Sequence, residues 1–525
     1  MGHTWKSLLL KSRSCSETEA LIAKLCPTKI TVAPAQGFFY QIDTLNYNLF
    51  SSGALLIGYQ RKEALAIWYH TPKISLLVNI DFNNQLWLDT FQVFPQTVAR
   101  EISFRTKGRA LLLQNKTPAV VTQLALLDNY NAIFAHVWLI GSDDSADCNL
   151  LIFGKHGYNK QLKQFLKTLR LSLGSSKIES SQLASPRSKN SSTRVSPDYE
   201  ETIDPRQVTP VVVSKLLLRV LDQARANIEW IDTHPDPEFL HDLRTAMRQA
   251  QAILTYFKSS LVEIGIETFQ SELAYFLKQT SGPRNFEVFE MKLRGMTDKV
   301  SGIPSFPRIL KHCAGETELQ YQRLANELLS ARFEVFLGEW SRIAGRASSI
   351  ALKLDHSRVS DNSRPQSSRS KVTLLDSSSA KQTFAEAMTE LSSREGNELN
   401  QQLEQLSKLK SVKKLHDIRK NFRNYKYLIE MVLYAWDQNK FSTSFPKIKK
   451  LVGWLGDLHD LYLEERLVQS LKCQDSRCQK EGAQLSSLLN SQYRRQFDQI
   501  RRRLKTFDRI DFAIDTKAIS RPLRK

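Results

Sequence analysis

Two stretches of this chain, FLHDLRTAMRQAQAILTYF at 239–257 and KLHDIRKNFRNYKYLIEMV at 414–432, repeat H-D-x-R-x-x-x-R at an offset of 175 residues. Neither contains proline or glycine, so each is predicted as an uninterrupted helix. At about 100° per residue, His416, Arg419, Lys420, Arg423 and Lys426 fall on one arc of about 120°. Leu415, Ile418, Phe422, Tyr425 and Ile429 form the apolar stripe on the other side. In the first copy His241, Arg244 and Arg248 share an arc of about 60°. Leu240, Leu243, Met247, Ala250 and Leu254 take the apolar side there.

A solvated helix face mixes signs so that i,i+4 pairs form. Here the acids Asp242 and Asp417 sit off the arc, and a nearly pure cationic face occurs twice. A single charge run usually means a solvated face, but duplication at matched spacing points to a common ligand. Arginine forks bind phosphate oxygens in bidentate fashion, lysines add point charge, and a histidine among them can gain a proton when an anion arrives. The net charge of +20 over 525 residues agrees with a polyanionic partner, without choosing among nucleic acid, anionic membrane and polyphosphate.

No stretch approaches the roughly 18 apolar residues of a membrane span, and SLLL after Lys6 is too short for a signal-peptide core. The six cysteines are scattered, and Cys473 and Cys478 have neither zinc nor redox spacing. The expectation is a cytoplasmic protein with reduced thiols. Its partners would include no membrane.

Residues 174–205, rich in Ser and Pro, read as a disordered linker, and 355–382 as a flexible insert. Ahead of the linker, residues 1–173 alternate short apolar runs such as GFFYQIDT, ALLIGYQRK, ALAIWYH, ISLLVNIDF, QLWLDTFQVF and HVWLIGS, with KQLKQFLKTLRLSL as a closing helix. This predicts an α+β domain with a mixed or antiparallel sheet. Residues 206–354 and 383–515 read as two helical bundles, each opening with an amphipathic helix followed by the histidine helix, and 516–525 as a basic tail.

The region from about 207 to 510 resembles the CHAD family, the conserved-histidine α-helical domains. The resemblance rests on H-D-I-R-K-N-F-R-N-Y-K-Y and WLGDLHDLYLEE in the second half, and on DPEFLHDLRTAMR and SGPRNFEVFE in the first. It implies two pseudo-symmetric four-helix bundles with a basic groove that binds inorganic polyphosphate, without catalysis. Carried over by position, the groove residues are His241, Arg244, Arg248, His416, Arg419, Lys420, Arg423 and Lys426. Gln249, Gln251, Asn285 and Glu287 depart from the family pattern in the first copy, which implies weaker or more asymmetric binding there.

Arg284 and, on the last helix, Arg494 and Arg501 are further candidate anion contacts; a solvated helix end explains the latter two equally well. His459, Asp460, Glu464 and Glu465 could hold a divalent metal, but Asp460 and Asn285 occupy equivalent turns that fit helix caps better. No cofactor and no metal is expected.

The front domain resembles the CYTH family of triphosphate-tunnel hydrolases through FFYQIDTLNYNLFSSGALLIGYQRK, with Asp43, Thr44, Leu49 and Gly53 in register. That family's catalysis implies an E-x-E-x-K strand, tunnel arginines and metal-holding acids. Here HTWKSLLLKSR offers no acid, Ile57 and Tyr59 stand where arginines would, and HVWLIGS lacks glutamates. The domain is expected to be a degenerate, non-enzymatic scaffold with a docking role toward a protein partner; an unrelated α+β domain is the other reading.

The function expected is non-catalytic polyphosphate binding, with association to polyphosphate granules. Nucleic-acid binding or scaffolding through the same basic face is the alternative, and residual triphosphate hydrolysis the third. Phe257, Phe422 and Tyr425 lie on the core side of their helices, leaving Tyr427 alone to stack on a base.

Overall fold

A computed structural model describes residues 7–12, 14–26, 28–71, 75–82, 85–141, 148–155, 158–173, 204–233, 236–264, 266–297, 306–360, 382–406, 412–435, 444–471, 475–505, 507 and 510. The chain divides into two compact units, Met1–Pro197 and Asp198–Lys525. Most of the expected linker (174–203), most of the expected insert (361–381) and the basic tail (516–525) lie outside the described residues.

The front unit is an antiparallel, curled sheet. Its strands are β1 (Ser7–Ser12), β2 (Lys29–Asp43), β3 (Leu55–Arg61), β4 (Ala64–His70), β5 (Ser75–Asp81), β6 (Trp87–Leu88), β7 (Leu111–Leu127), β8 (Ile133–Gly141) and β9 (Cys148–Gly154). They run in the order β1-β9-β8-β7-β2-β3-β4-β5, with β6 beside β7. Five helices accompany them: α1 (Cys15–Leu25), α2 (Asn48–Ser51), α3 (Thr90–Val93), α4 (Gln96–Thr106) and α5 (Asn159–Leu173), the last being the expected closing helix. Part of QLWLDTFQVF, expected as strand, instead turns into α3. Asp89 accepts from the backbone N–H of Phe91 at 2.9 Å and of Gln92 at 3.3 Å, and so starts a helix where the apolar pattern alone suggested extension.

The period of two along each strand sends alternate residues to different cores. Leu56, Leu65, Ile67 and Tyr69 join a cluster with Val98, Ala99 and Ile102 of α4, while Val137, Leu139 and Ile152 join Ile22 of α1 and Phe165 of α5. The remaining face carries Phe39, Ile57, Tyr59, Trp68, Val121, Trp138 and Phe153, all buried. Trp68 on β4 and Phe153 on β9 lie five strand spacings apart, about 24 Å across a flat sheet. Their ring centroids are 6.0 Å apart, and those of Tyr59 and Trp138 are also 6.0 Å apart. The sheet must curl until this face closes on itself, and aromatic rings occupy the interior.

Asp43 is structural in this setting. Its buried carboxylate accepts from the N–H groups of Thr44 (2.7 Å), Leu49 (2.9 Å) and Phe50 (2.9 Å), holding the turn into α2. Burial raises its pKa to about 6 against the pull of those donors. Gly53, at φ +75°, follows α2 in the left-handed region that a side chain would strain.

The second unit is helical: α6 (Thr209–Ile228), α7 (Glu238–Tyr256), a 3-10 segment (Lys258–Ile264), α8 (Glu267–Gln279), α9 (Ser281–Thr297), α10 (Pro307–Leu328), α11 (Ala331–Ser360), α12 (Phe384–Leu406), α13 (Val412–Ala435), α14 (Ser444–Ser470) and α15 (Ser476–Lys505). The α11 helix runs past 354 into the expected insert. The two sequence halves share a core. Phe286, Phe289 and Leu293 of α9 and Ile309 and Cys313 of α10 pack with Leu461 and Val468 of α14 and Leu485 and Leu489 of α15. Val208 and Thr383 form an antiparallel bridge. They stand 175 positions apart, the offset of the histidine repeat, so a residue meets its own repeat equivalent, as at a twofold axis.

Cysteine chemistry departs from expectation at one place. Cys15, Cys26, Cys148 and Cys313 are free thiols, but Cys478 is disulfide-bonded. Cys473, five residues before it in sequence, lies outside the described residues. Among the described residues no helix is long and apolar enough to cross a membrane.

Candidate functional site

The two repeated helices, α7 and α13, pack against each other. Their apolar stripes are buried as the helical wheel requires: Leu240, Leu243, Met247, Ala250 and Leu254 on one, Leu415, Ile418, Phe422, Tyr425 and Ile429 on the other. That packing brings the cationic arcs together. Arg248 of α7 lies close enough to Arg419 and Arg423 of α13 to lower the pKa of both, after burial, the larger cause; Arg423 falls to about 10. Arg248 and Arg423 are repeat equivalents, so the crossing sets like charge against like.

The Nε atoms of Arg419 and Arg423 are buried and have no hydrogen-bond partner. Leaving a buried charged donor unsatisfied costs on the order of 1–3 kcal/mol. Tyr427, also buried, reports the field these groups produce. Burial opposes its ionisation, yet the charges of Arg248, which is hydrogen-bonded to it, and of Arg423 and Lys426 outweigh that, holding the phenol below its ordinary value. The hydroxyl does in miniature what an incoming anion would do.

Other sequence candidates are placed differently. Arg244 is 6% exposed and turns into the joint between α8 and α9, where Nη1 donates to Leu277 O (3.1 Å), Thr280 Oγ1 (2.5 Å) and Ser281 Oγ (3.1 Å). Burial and then Arg248 push its pKa down to about 9. It braces the site from beneath. Arg284 is paired: it donates to Pro237 O (2.9 Å) and Glu287 (2.8 Å) and lies 3.5 Å from Glu238. Lys426 pairs with Glu430 at 3.0 Å. Lys420 is exposed on α13, and Arg494 and Arg501 are exposed on α15, two turns apart.

The histidines divide along the same asymmetry. Both His241 and His416 are exposed. His241 is held below the ordinary imidazole range by partial desolvation and then by Arg284. His416 is lowered by desolvation, then by Arg419 and Arg423, against Asp417. Its ring centroid lies 4.9 Å from that of His459 on α14. Burial, with Arg419, His416 and Arg423 behind it, drives His459 down to about 3. His459 is the repeat equivalent of Arg284, and the positions matching Glu238 and Glu287 are Lys413 and Tyr462. The first copy carries its own acids against Arg284; in the second, Asp460 is the acid that opposes the lowering of Arg419.

His459 therefore belongs with the arginines, although the sequence reading grouped it with a metal. Applying the offset of 175 to Arg284 would have found it. His459 lines a cavity with Arg419, whereas Asp460 and Glu464 line a different one, where Glu464 is bound by Lys292. Glu465 accepts from Gln469 and, at 3.2 Å, from Ser486. The four do not converge. Among the described residues Glu238, His241 and Asp242 can bring ligand atoms within 4.8 Å of one another, with Arg284 against Glu238. Asp460 and Asn285 lie inside α14 and α9, so neither caps a helix as expected. Gly453 and Gly456 also lie inside α14, where the helix continues through them.

Residues 215–469 match the family model of the CHAD domain. Among solved structures, the chain is similar to the CHAD domain from the plant Ricinus communis at 15% identity, covering 59% of this chain and 96% of that one, with a TM-score of 0.46. It is also similar to PptA from Streptomyces chartreusis at 13% identity, covering 57% of this chain and 99% of that one, with a TM-score of 0.39. A candidate adenylate cyclase from Vibrio parahaemolyticus matches at 12% identity over 32% of this chain and 86% of its own length, with a TM-score of 0.21. No curated protein matches the chain.

Crowded, half-buried arginines with unpartnered donors cost the fold stability. Replacing Arg423 with Met keeps the stem and removes the charge. The expected result is a melting temperature a few degrees higher without ligand, read by calorimetry; a lower one would mean that Arg423 is held by a structural partner.

Proposed function

We propose that this chain, which carries a CHAD domain at residues 215–469, binds inorganic polyphosphate on the arginine face where α7 and α13 cross. The observation that carries this reading is the pair of half-buried arginines, Arg419 and Arg423, each with a buried, unpartnered Nε, set against Arg248. CHAD domains are associated with polyphosphate. A linear chain of phosphates supplies what the face lacks: closely spaced oxygens that accept forked hydrogen bonds, and charge at every step. Single-stranded nucleic acid also supplies phosphate, but it gains affinity from aromatic platforms. Tyr427, the aromatic on the cationic side of α13, is buried and held by Arg248.

We assign the front unit a non-catalytic, scaffolding role. Its inner face is filled by Phe39, Tyr59, Trp68, Trp138 and Phe153, and Asp43 is committed to backbone N–H groups. With magnesium or manganese present, the purified protein is expected to release no phosphate from tripolyphosphate above a blank. Metal-dependent release that co-purifies with the chain and vanishes in Asp43→Ala would overturn this.

For binding, affinity for a long-chain polyphosphate is expected to fall steeply with salt. Arg419→Ala with Arg423→Ala should lower it by at least roughly a hundredfold, two charged hydrogen-bonding groups at about 1.5–3 kcal/mol each. Lys163→Ala with Lys167→Ala on α5 should leave it within a factor of about two. Equal losses in the two double variants would mean that bulk charge alone binds.

The pH dependence has a definite sign. His416 and His459 are held neutral in the free protein by desolvation and by Arg419 and Arg423, with Asp417 opposing at His416. A bound polyanion reverses that local potential and raises both pKa values, so binding takes up protons and strengthens as pH falls. Calorimetry in buffers of different ionisation enthalpy counts them between about pH 6 and 7.5. Uptake is expected in the native chain and lost in His416→Gln with His459→Gln; zero uptake in the native chain would make both histidines structural.

A further inference from the structure

One cavity in the helical unit has a chemistry that polyphosphate does not explain. It measures about 530 Å³, is lined by residues of α13, α14 and α15, and opens to solvent on one side. Leu415, Leu455, Leu458 and Leu463 give it an apolar body, with Arg419, His416, His459, Tyr462 and Tyr493 completing the wall. Two of these carry buried polar atoms without a partner, the Nε of Arg419 and the hydroxyl of Tyr493. Tyr462 is engaged, accepting from Arg466 at 2.9 Å.

Water alone would leave four leucines wet, and an inorganic phosphate chain would have to shed its hydration along those leucines, which offer it no donor. An apolar molecule alone would leave the arginine and the tyrosine unsatisfied. The volume lies in the range of small-molecule sites. The occupant that answers both halves has an aliphatic tail and a single acceptor-only, anionic head. We propose that this cavity binds an aliphatic carboxylate, its head on Arg419 and Tyr493 and its tail against the four leucines.

Arg419 belongs to this wall and to the arginine cluster with Arg248 and Arg423. A carboxylate seated on it consumes charge that the polyphosphate face uses, so each ligand weakens the other. Only that coupling rests on the polyphosphate reading.

The test is calorimetric titration of the full chain with sodium dodecanoate below its micelle threshold, with acetate and dodecan-1-ol as controls. Saturable binding of one dodecanoate is expected, with acetate and dodecanol each at least roughly tenfold weaker. Tyr493→Phe should weaken dodecanoate by roughly three- to tenfold and leave polyphosphate affinity unchanged. Leu455→Trp should fill the cavity and abolish dodecanoate binding; Tyr493→Phe, a far smaller change, decides the matter if that variant fails to fold. Absence of dodecanoate binding, equal binding of dodecanol, uptake at many sites only, or indifference to Tyr493→Phe would each overturn the proposal. Dodecanoate binding by a chain that ignores polyphosphate would uphold the cavity and overturn the proposed function; the reverse pattern would do the opposite.

Discussion

The helical unit is organised around a repulsion. The two copies of one helix pack together, each with its apolar stripe buried, Leu243, Met247, Phe422 and Tyr425 among them, and this arrangement sets Arg248 near Arg419 and Arg423. Burial of each large aliphatic or aromatic side chain contributes about 1.5–3 kcal/mol, which is what holds three guanidinium groups closer than they would settle in water. Arg244 sits beneath them, its donors spent on the α8–α9 joint. The supporting core is drawn from both sequence halves, so neither half can relax the crossing alone. A rigid frame of this kind fixes charge in place before a ligand arrives, and pre-organisation of that sort lowers the cost of binding.

Duplication did not leave two equal sites. In the first copy Arg284 is bound by Glu287 and lies against Glu238, which offsets its charge in part, although it still depresses His241. In the second, the equivalent of Arg284 is His459, and Lys413 and Tyr462 replace the acids. The second copy therefore holds the unpaired donors and the strongly depressed histidine, while the first contributes Arg248 and structural support. Asymmetry of this kind was anticipated from Gln249, Gln251, Asn285 and Glu287, and Gln249 is in fact buried.

Much of this was legible in the sequence wherever periodicity and burial coincide. The apolar stripes of α7 and α13, several strands of the front sheet and the closing helix α5 all follow from spacing. What spacing cannot carry is depth and long-range approach. Arg244 and Arg248 share one arc, yet one is sunk in a helix joint and the other faces the crossing. Tyr427 looked like an exposed aromatic because the wheel places it on the cationic side; the partner helix covers it. The curl of the sheet, which turns Tyr59 and Trp138 into neighbours, depends on pairings between strands far apart in sequence. His459 was hidden for a different reason: an offset seen at one histidine was not applied to the arginine that follows it.

The proposed polyphosphate site depends on fixed guanidinium forks and not on the total charge of +20. Replacing Arg419 and Arg423 together with lysine preserves that charge but removes the planar forks whose Nε donors stand unpartnered. At fixed salt and pH, polyphosphate affinity should fall by roughly tenfold or more in this variant, with its folding intact by circular dichroism. Unchanged affinity would contradict the account and make the repeated helices a carrier of charge without geometry.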